Sequence, residues 1–544
     1  MAKKLREKPV PEIVNNLRLQ EMAYGGEVVA RLPETAPAAS PAGTLTAGPD
    51  TRQEGQEEGD FQPGHEPVET ELVPPVTVPG SQVVFVTGGL PGELVEVQLY
   101  RRKKSFIKAN VRRVDEASPD RAAAPCPYFG VDKWPNCGGC QWQHANYEAQ
   151  LNYKHNILRD QLIRLGGFVD QEPPLLPPLA AVSPWGYRNN VEFQVDENEG
   201  RPCFHRQNSI RLVPVQSCHI AHPLITLVID PLTAALQKHL PKRVHQVTIR
   251  VGAVSGDAPI SAEEITALAS YSDNPAAKLA ALDRFLAVTP LEMSLQKPRP
   301  TMLLVLRMLR EWQKSDLQPF LEELQATMDR YVELTVIGEG RKRRLEDLGG
   351  PPYLTEVLDG VTYRIPPLAF FQSNSPMAVE LIREAMGAFD EAGLNLRGKK
   401  LLDIYCGVGT FALQMARRGA TVLGIEEYAG AVEGAGENAR LNGLEDRCRF
   451  VAAKAEEHIL ELEAAGDRYD GALVDPPRRG CDPALLQSLL KTRPPVLVYV
   501  SCDPSTLARD LKILSEGYEL VRCRAVDMFP QTYHMESVSL LRAK

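Results

Sequence analysis

The sequence predicts a multidomain chain of class α/β plus β, with a small OB-like β-barrel first, a mixed α+β centre, and a doubly wound, Rossmann-like sheet last. Three observations predict this. At 544 residues the chain exceeds what one hydrophobic core can serve. Period-two alternation of apolar and polar residues, punctuated by Gly-Gly and Pro-Gly, flanks an acidic tract near the N-terminus. After Gln372 the texture becomes strand, glycine turn and amphipathic helix in repetition.

The barrel is expected over residues 8–116, interrupted at 33–80. That tract, Pro33 to Gly80, has nine Pro, six Gly, nine acids and a single Arg. It cannot bury enough apolar surface to offset its ordering entropy, so it reads as a disordered acidic insertion. It also distorts the charge balance. The whole chain is at −9 and the tract alone at −8, which leaves the remainder near neutrality at −1. Net acidity therefore does not exclude a polyanionic partner. The last expected barrel strand, RRKKSFIKANVRR (101–113), has seven Lys or Arg, no acid, and Phe106 in its middle. Such a strand can hold single-stranded nucleic acid; it can equally be a solvated edge that blocks aggregation.

Residues 120–370 form the expected central domain. Strands are predicted at YRNNVEFQV, VHQVTIRVGAV, TMLLVLRML and VELTVIGEG, with a helix over 147–166 and a helical excursion at 256–299. Ten cysteines are too few for a disulfide scaffold in so long a chain, and no disulfide-linked partner is expected. Cys126, Cys137 and Cys140 cluster, Gly138 and Gly139 allow a tight turn, and Cys218 is the natural fourth ligand, with Cys203 as competitor. Four thiolates serve zinc as readily as a [4Fe-4S] cluster. No apolar run of about 18 residues spans a bilayer, and no leader-like segment opens the chain, so a cytoplasmic location away from membranes is expected.

Residues 371–544 form the expected doubly wound domain. KKLLDIYCGVGTFALQMARRG (399–419) is a strand, a glycine turn and a helix. Gly407 and Gly409 allow close backbone approach, and the helix opening at Thr410 aims N–H groups at a ligand. Glu426, at the end of the next strand, is placed to accept from ribose hydroxyls. GVGTFA could be a dinucleotide fingerprint; D-x-Y-x-G-x-G, from Asp403 through Tyr405 to Gly409, is the form used to bind S-adenosylmethionine. A later strand ends in Asp475-Pro476-Pro477, and another, PVLVYVSC, ends in Cys502. In open α/β sheets ligands bind at that carboxyl edge, so Cys502 reads as a nucleophile more than as a small core residue.

FFQSN (370–374), LLDIYCGVGT, LVDPPRRG, YVSCDPSTLARD and HMESVSLL, in this order, resemble the class I S-adenosylmethionine-dependent RNA (uracil-5-)-methyltransferases. The barrel is similar to their TRAM domain, and CPYF…CGGCQWQH resembles their iron-sulfur motif, the combination seen in the 23S ribosomal RNA branch. The likeness covers nearly the whole chain outside the acidic tract. Ten residues separate Cys126 from Cys137, where the family usually has five.

The resemblance implies methylation of C5 of a uridine in structured RNA, with 23S ribosomal RNA favoured over transfer RNA. It makes Cys502 the nucleophile that adds to C6 and Glu536 the general base. It implies cofactor contacts by Gln372, Tyr405, Gly407, Gly409, Thr410, Glu426 and Asp475. It favours a structural [4Fe-4S] cluster on Cys126, Cys137, Cys140 and Cys218 over zinc. The competing readings are a transfer RNA enzyme, a non-catalytic RNA-binding protein with a degenerate methyltransferase domain, and an NAD-dependent enzyme on the same sheet.

Overall fold

The computed structural model describes residues 12–32, 82–103, 105–130, 136–240, 243–252, 301–308, 312–328, 332–340, 345–349 and 353–544. The acidic tract at 33–80 and the helical excursion at 256–299 lie outside them. The chain divides into two compact units, Met1–Arg121 and Ala122–Lys544. No helix among the described residues is long and apolar enough to cross a membrane.

The first unit holds β1 (Ile13–Arg18), β2 (Glu21–Met22), β3 (Val28–Leu32), β4 (Gln82–Thr87), β5 (Leu94–Arg102) and β6 (Phe106–Glu116), in the order β1-β5-β6-β4-β3-β2. Alternation decides which face is buried: Val95, Val97 and Leu99 of β5 point inward, as do Ile107, Ala109 and Val111 of β6. The strands form a six-stranded mixed sheet whose order begins on β1 and ends on β2, two neighbouring pieces of one stretch of chain. β1 pairs with β5 and β2 with β3, so the stretch from Ile13 to Met22 is bonded on one side and then on the other. The basic run is also not one strand. It straddles the β5–β6 hairpin, where Lys103 N–H donates to Phe106 O, and Phe106 turns its ring edge-on to Phe85 at 5.6 Å.

The second unit opens with α1 (Tyr147–Arg164), whose first turn is capped by the Asn146 side chain accepting from Ala149 N–H. Next comes β7 (Leu175–Leu179). A seven-stranded sheet follows, made of β8 (Asn190–Val195), β9 (Pro202–His205), β10 (Leu212–Pro214), β11 (Val244–Val251), β12 (Thr301–Met308), β13 (Glu333–Glu339) and β14 (Leu345–Gly349). Its order is β10-β9-β8-β11-β12-β13-β14. Two amphipathic helices, α2 (Pro223–His239) and α3 (Lys314–Met328), pack on each other and close one core with it.

The C-terminal part begins with a hairpin, β15 (Leu354–Leu358) and β16 (Val361–Ile365), and α4 (Ser375–Glu391). Strands and helices then alternate: β17 (Lys400–Ile404), α5 (Thr410–Arg417), β18 (Thr421–Glu426), α6 (Ala429–Leu441), β19 (Cys448–Ala452), α7 (Ala455–Ala465), β20 (Gly471–Val474), α8 (Pro483–Thr492), β21 (Val496–Ser501), α9 (Pro504–Leu514), β22 (Tyr518–Val526) and β23 (Glu536–Ala543). The eight-stranded sheet has the order β19-β18-β17-β20-β21-β23-β22-β7. The five strands from β19 to β21 are parallel, and each is covered by helices, which explains why Val496 to Ser501 are all buried. β23 then runs antiparallel to β21, and β7, from far earlier in the chain, adds the last edge parallel to β22.

The segment that includes α1 and β7 is thus built into the C-terminal sheet. Its anchor is Lys154 on α1, whose Nζ lies 2.5 Å from Asp527 Oδ1 just past β22, with each side chain 1% exposed. Nζ also donates to Phe529 O at 3.0 Å. Removing one partner of such a buried pair strands the other charge and costs about 3–5 kcal/mol. Lys154→Met should therefore lower unfolding stability by that order in urea titration, whereas adding Asp527→Leu should recover a large part of it. Equal stability of Lys154→Met and the native chain would show that the pair does not hold this junction.

Candidate functional site

The strand order reverses between β17 and β20, and the crevice at such a switch point opens at the carboxyl ends of the strands. β17 ends at Ile404, and the next residue, Tyr405, takes a left-handed φ of 68°. Tyr405 and Cys406 N–H both bond Ile425 O, which ties the turn to the end of β18. Gly407 (φ 54°) and Gly409 (φ 88°) complete it. A Cβ on Gly407 would meet nothing within 4 Å, so its backbone faces open space. Gly409 is the N-cap of α5, without a side-chain cap, and Thr410 is its first residue, with its carbonyl accepting from Tyr363 OH. Glu426 Oε2 accepts from Gly407 N–H at 3.2 Å and Oε1 from Tyr428 N–H at 2.9 Å, so this carboxylate braces the glycine turn.

Asp475 and Cys502 follow the last residues of the neighbouring strands β20 and β21. Because β23 is antiparallel to β21, its first residue arrives at the same edge. Ser501 pairs with Ser537, which puts Glu536 beside Cys502. Gln372 reaches this edge from another direction. It precedes α4; its carbonyl accepts from Asn189 Nδ2, and Asn374 Nδ2, two residues on, donates to Met528 O in the loop that leads to β23. The structure therefore gathers Gln372, Tyr405, Gly407, Gly409, Thr410, Glu426, Asp475, Cys502 and Glu536 along one sheet edge.

This edge is crowded with groups that resist ionisation. Burial, then repulsion from Asp475, raises the Glu536 carboxyl well above its ordinary value, and its buried Oε2 has no hydrogen-bond partner. Burial lifts Asp475 to about 7 and Asp403, beneath the turn, to about 8, with Asp475 and Glu426 adding repulsion. The Cys502 thiol is pushed up by burial, then by Glu536 and Asp475; Arg478, in the loop after β20, opposes this. Cys502 also precedes α9, but the positive end of that helix is occupied by Asp503 Oδ1, which accepts from Ser505 and Thr506 N–H at 2.9 and 3.1 Å. Such a set of acids around an open glycine turn favours a ligand that is cationic and carries hydroxyl donors.

Cys126, Cys137, Cys140 and Cys218 line one cavity of about 190 Å³, together with Arg188 and His219. Cys203 is not among its walls; its Sγ lies 3.3 Å from Arg201 O. Among the described residues no three His, Cys, Asp or Glu converge as a single metal ion requires. The two findings are compatible, because one ion needs every sulfur at about 2.3 Å from a common point, whereas lining a cavity does not. All ten cysteines are free thiols.

Two contributors were not anticipated from sequence. Arg478 was visible in DPPRRG but carried no signal of its own. The loop bearing it is gripped from α9, where Thr506 Oγ1 donates to Arg478 O and Arg509 Nη2 donates to Arg479 O. Gln531, with a left-handed φ of 69°, anchors the approach to Glu536 and is buried at 2% exposure.

A family profile described as tRNA (Uracil-5-)-methyltransferase matches residues 300–544. An uncharacterized RNA methyltransferase of Gloeobacter violaceus is 33% identical over 477 residues, covering 85% of this chain and 91% of the relative. One from Bacillus anthracis is 31% identical over 474 residues, covering 85% and 92%. The Pyrococcus abyssi tRNA (uracil-54, C5)-methyltransferase, solved with S-adenosyl-L-homocysteine, superposes with a TM-score of 0.59 over 84% of this chain and 94% of its own, at 23% identity. That last likeness concerns the fold.

Asp403 has a measurable consequence. Its folded value, about 8, lies above the ordinary 3.8, so the native state keeps a proton that the unfolded chain has released. Stability from this group is complete at low pH and is lost as pH rises from about 4 to about 8. Asp403→Asn cannot ionise; thermal melts of the ligand-free protein should show a smaller decline in Tm from pH 5 to pH 8 than the native chain, and a higher Tm at pH 8. Superimposable Tm curves against pH would remove the buried-acid account.

Proposed function

This chain belongs to the S-adenosylmethionine-dependent RNA (uracil-5-)-methyltransferase family, and from that premise we propose that it methylates C5 of a uridine in 23S ribosomal RNA through a covalent adduct to Cys502. The observation that carries this reading is the meeting of the β21 and β23 ends beside the glycine turn, which brings one thiol and one unpartnered carboxyl to the same edge. The choice of 23S over transfer RNA rests on the TRAM and iron-sulfur resemblances of the first 220 residues.

The residues present suit the methyl donor. The open space over Gly407 admits a ligand to the backbone, Glu426 offers acceptor oxygens near ribose, and the acids Asp403, Glu426 and Asp475 favour positive charge. When bound, S-adenosylmethionine supplies an electrophilic methyl on a sulfonium. The chain's own groups do the remainder. Cys502, as the thiolate left when its proton passes to solvent, bonds through sulfur to C6 of the flipped or unpaired uracil, and the C5–C6 electron pair moves toward O4 as an enolate. C5 of that enolate takes the methyl and becomes tetrahedral. Glu536, acting in its ionised form, then accepts the C5 proton, the pair left behind re-forms the C5–C6 double bond, and the C6–S bond breaks to release Cys502 as thiolate. A carboxyl whose proton affinity is raised by burial is a stronger base for that carbon acid than an exposed one. By the family resemblance, Gln372 and Asp475 would lie nearer the methyl and the base, and Tyr405 against the cofactor.

Cys126, Cys137, Cys140 and Cys218 would hold the [4Fe-4S] cluster. The four soft donors facing one cavity fit that group. When bound, it supplies metal–sulfur cross-links that tie the 126–140 segment to the loop before α2.

Two measurements test the proposal. Cys502→Ala should lose turnover by at least about a thousandfold, as loss of a nucleophile does, with S-adenosylhomocysteine binding by calorimetry nearly unchanged. Glu536→Gln should complete methyl transfer yet accumulate a denaturant-stable protein–RNA adduct, because elimination lacks its base. Normal turnover by Cys502→Ala rules out the covalent route. For the cluster, anaerobic preparations should contain about four irons per chain, lost in Cys218→Ser and kept in Cys203→Ser. The reverse pattern would give the fourth position to Cys203.

A further inference from the structure

The loop that joins β22 to Glu536 has few contacts of its own making; its atoms are held from elsewhere in the chain. Asp527 takes Lys154 and Tyr147 OH, the latter at 2.8 Å. Met528 O accepts from Asn374 Nδ2 at 2.9 Å, Phe529 O from Lys154 Nζ, and Pro530 O from Tyr187 OH at 2.9 Å. Gln531 is bound most heavily. Its carbonyl accepts from both Gln141 and Trp142 N–H at 3.0 Å, while its own N–H donates to Gln150 Oε1 at 2.9 Å and its Oε1 accepts from Gln150 Nε2 at 3.0 Å. Gln150 Nε2 also reaches Ala145 O, and Gln150 is fully buried. Gln531 adopts a left-handed φ that a non-glycine residue reaches only when its surroundings enforce it. From it the chain makes one tight turn, with Thr532 Oγ1 on Phe529 O and His534 N–H on Thr532 Oγ1, and enters β23 at Glu536.

We propose that Gln531 is a positioning residue for Glu536, and that the segment 141–150, which begins one residue after Cys140, sets the geometry of the general base through it. The inference rests on the role given to Glu536 under Proposed function. The reciprocal Gln150–Gln531 pair converts the position of the cysteine-bearing segment into the position of a carboxyl five residues further along. Side-chain amides suit this task, since each offers donor and acceptor and stays neutral at every pH. The cysteine cavity and the catalytic edge then form one mechanical unit, and loosening 141–150 slows elimination while leaving the thiol of Cys502, just past β21, untouched.

The test compares Gln150→Ala and Gln531→Gly with Glu536→Gln, using an unmodified 23S rRNA transcript and tritiated S-adenosylmethionine. Glycine at 531 keeps the left-handed backbone, its carbonyl acceptor and the N–H bond to Gln150 Oε1, so that variant removes only the Gln531 side chain's bonds to Gln150 Nε2 and Pro184 O. Both variants should lose kcat by roughly ten- to a hundredfold, the scale of a small misplacement, with KM for S-adenosylmethionine within about twofold and with the denaturant-stable RNA adduct accumulating as in Glu536→Gln. Native kcat in both variants overturns the inference. So does a fall of turnover and adduct together in proportion to folded protein, measured by thermal melting, which would make the pair merely structural. So does a loss of kcat without adduct, since the affected step would then precede elimination. Absence of adduct in Glu536→Gln itself refutes the covalent reading instead, and the split between kcat and KM then decides the role of Gln531.

Discussion

The reversal of a single strand governs the candidate site. In a wholly parallel sheet every strand would present its carboxyl end to the crevice and send its first residue to the far side. β23 runs the other way, so a residue that opens a strand stands next to a residue that closes one. Glu536 and Cys502 are neighbours for this reason, although 34 positions apart in the chain, and Ser537 Oγ bonding Ser501 O at 3.1 Å pins the register at the point of contact. A slip by one residue would turn Glu536 to the opposite face of the sheet.

That precision depends on the support beneath it. The loop before β23 would carry unsatisfied buried carbonyls if it stood alone, and the central segment satisfies them one after another. Lys154 and Asp527 are both almost wholly buried, an arrangement that contributes little net stability and much positional definition. β7 extends the same sheet from its outer edge. The segment from α1 to β7 therefore belongs mechanically to the C-terminal sheet, while the seven-stranded sheet with α2 and α3 keeps a core of its own.

Electrostatics at the edge point in one direction. A thiol, two buried carboxyls and a third acid beneath the glycine turn all resist deprotonation together, and α9 spends its positive end on Asp503. The edge is a poor place for uncompensated negative charge. Positive charge arriving at this edge would favour ionisation of each of these groups.

Local pattern carried much of this into the sequence. The strand, glycine turn and helix at 399–419 were legible because Gly407 and Gly409 are needed for φ values that other residues resist. The 147–166 helix was visible from its own residues and ends within two positions, at Arg164. Cys502 and Asp475 were recognisable as strand ends because a buried parallel strand is an unbroken apolar run that stops at the surface. The cysteine cluster showed in its own spacing, whereas Glu536 came through resemblance alone. Tertiary structure decided the remainder: that the basic run bends into a hairpin, that Leu175–Leu179 joins a strand about 350 residues onward in sequence, and that Gln150 grips Gln531. Periodicity reports which face of an element is apolar and where it stops; it holds no record of which distant carbonyl an amide will meet. Those pairings follow from the packing of whole elements, so they exist only once the chain has folded.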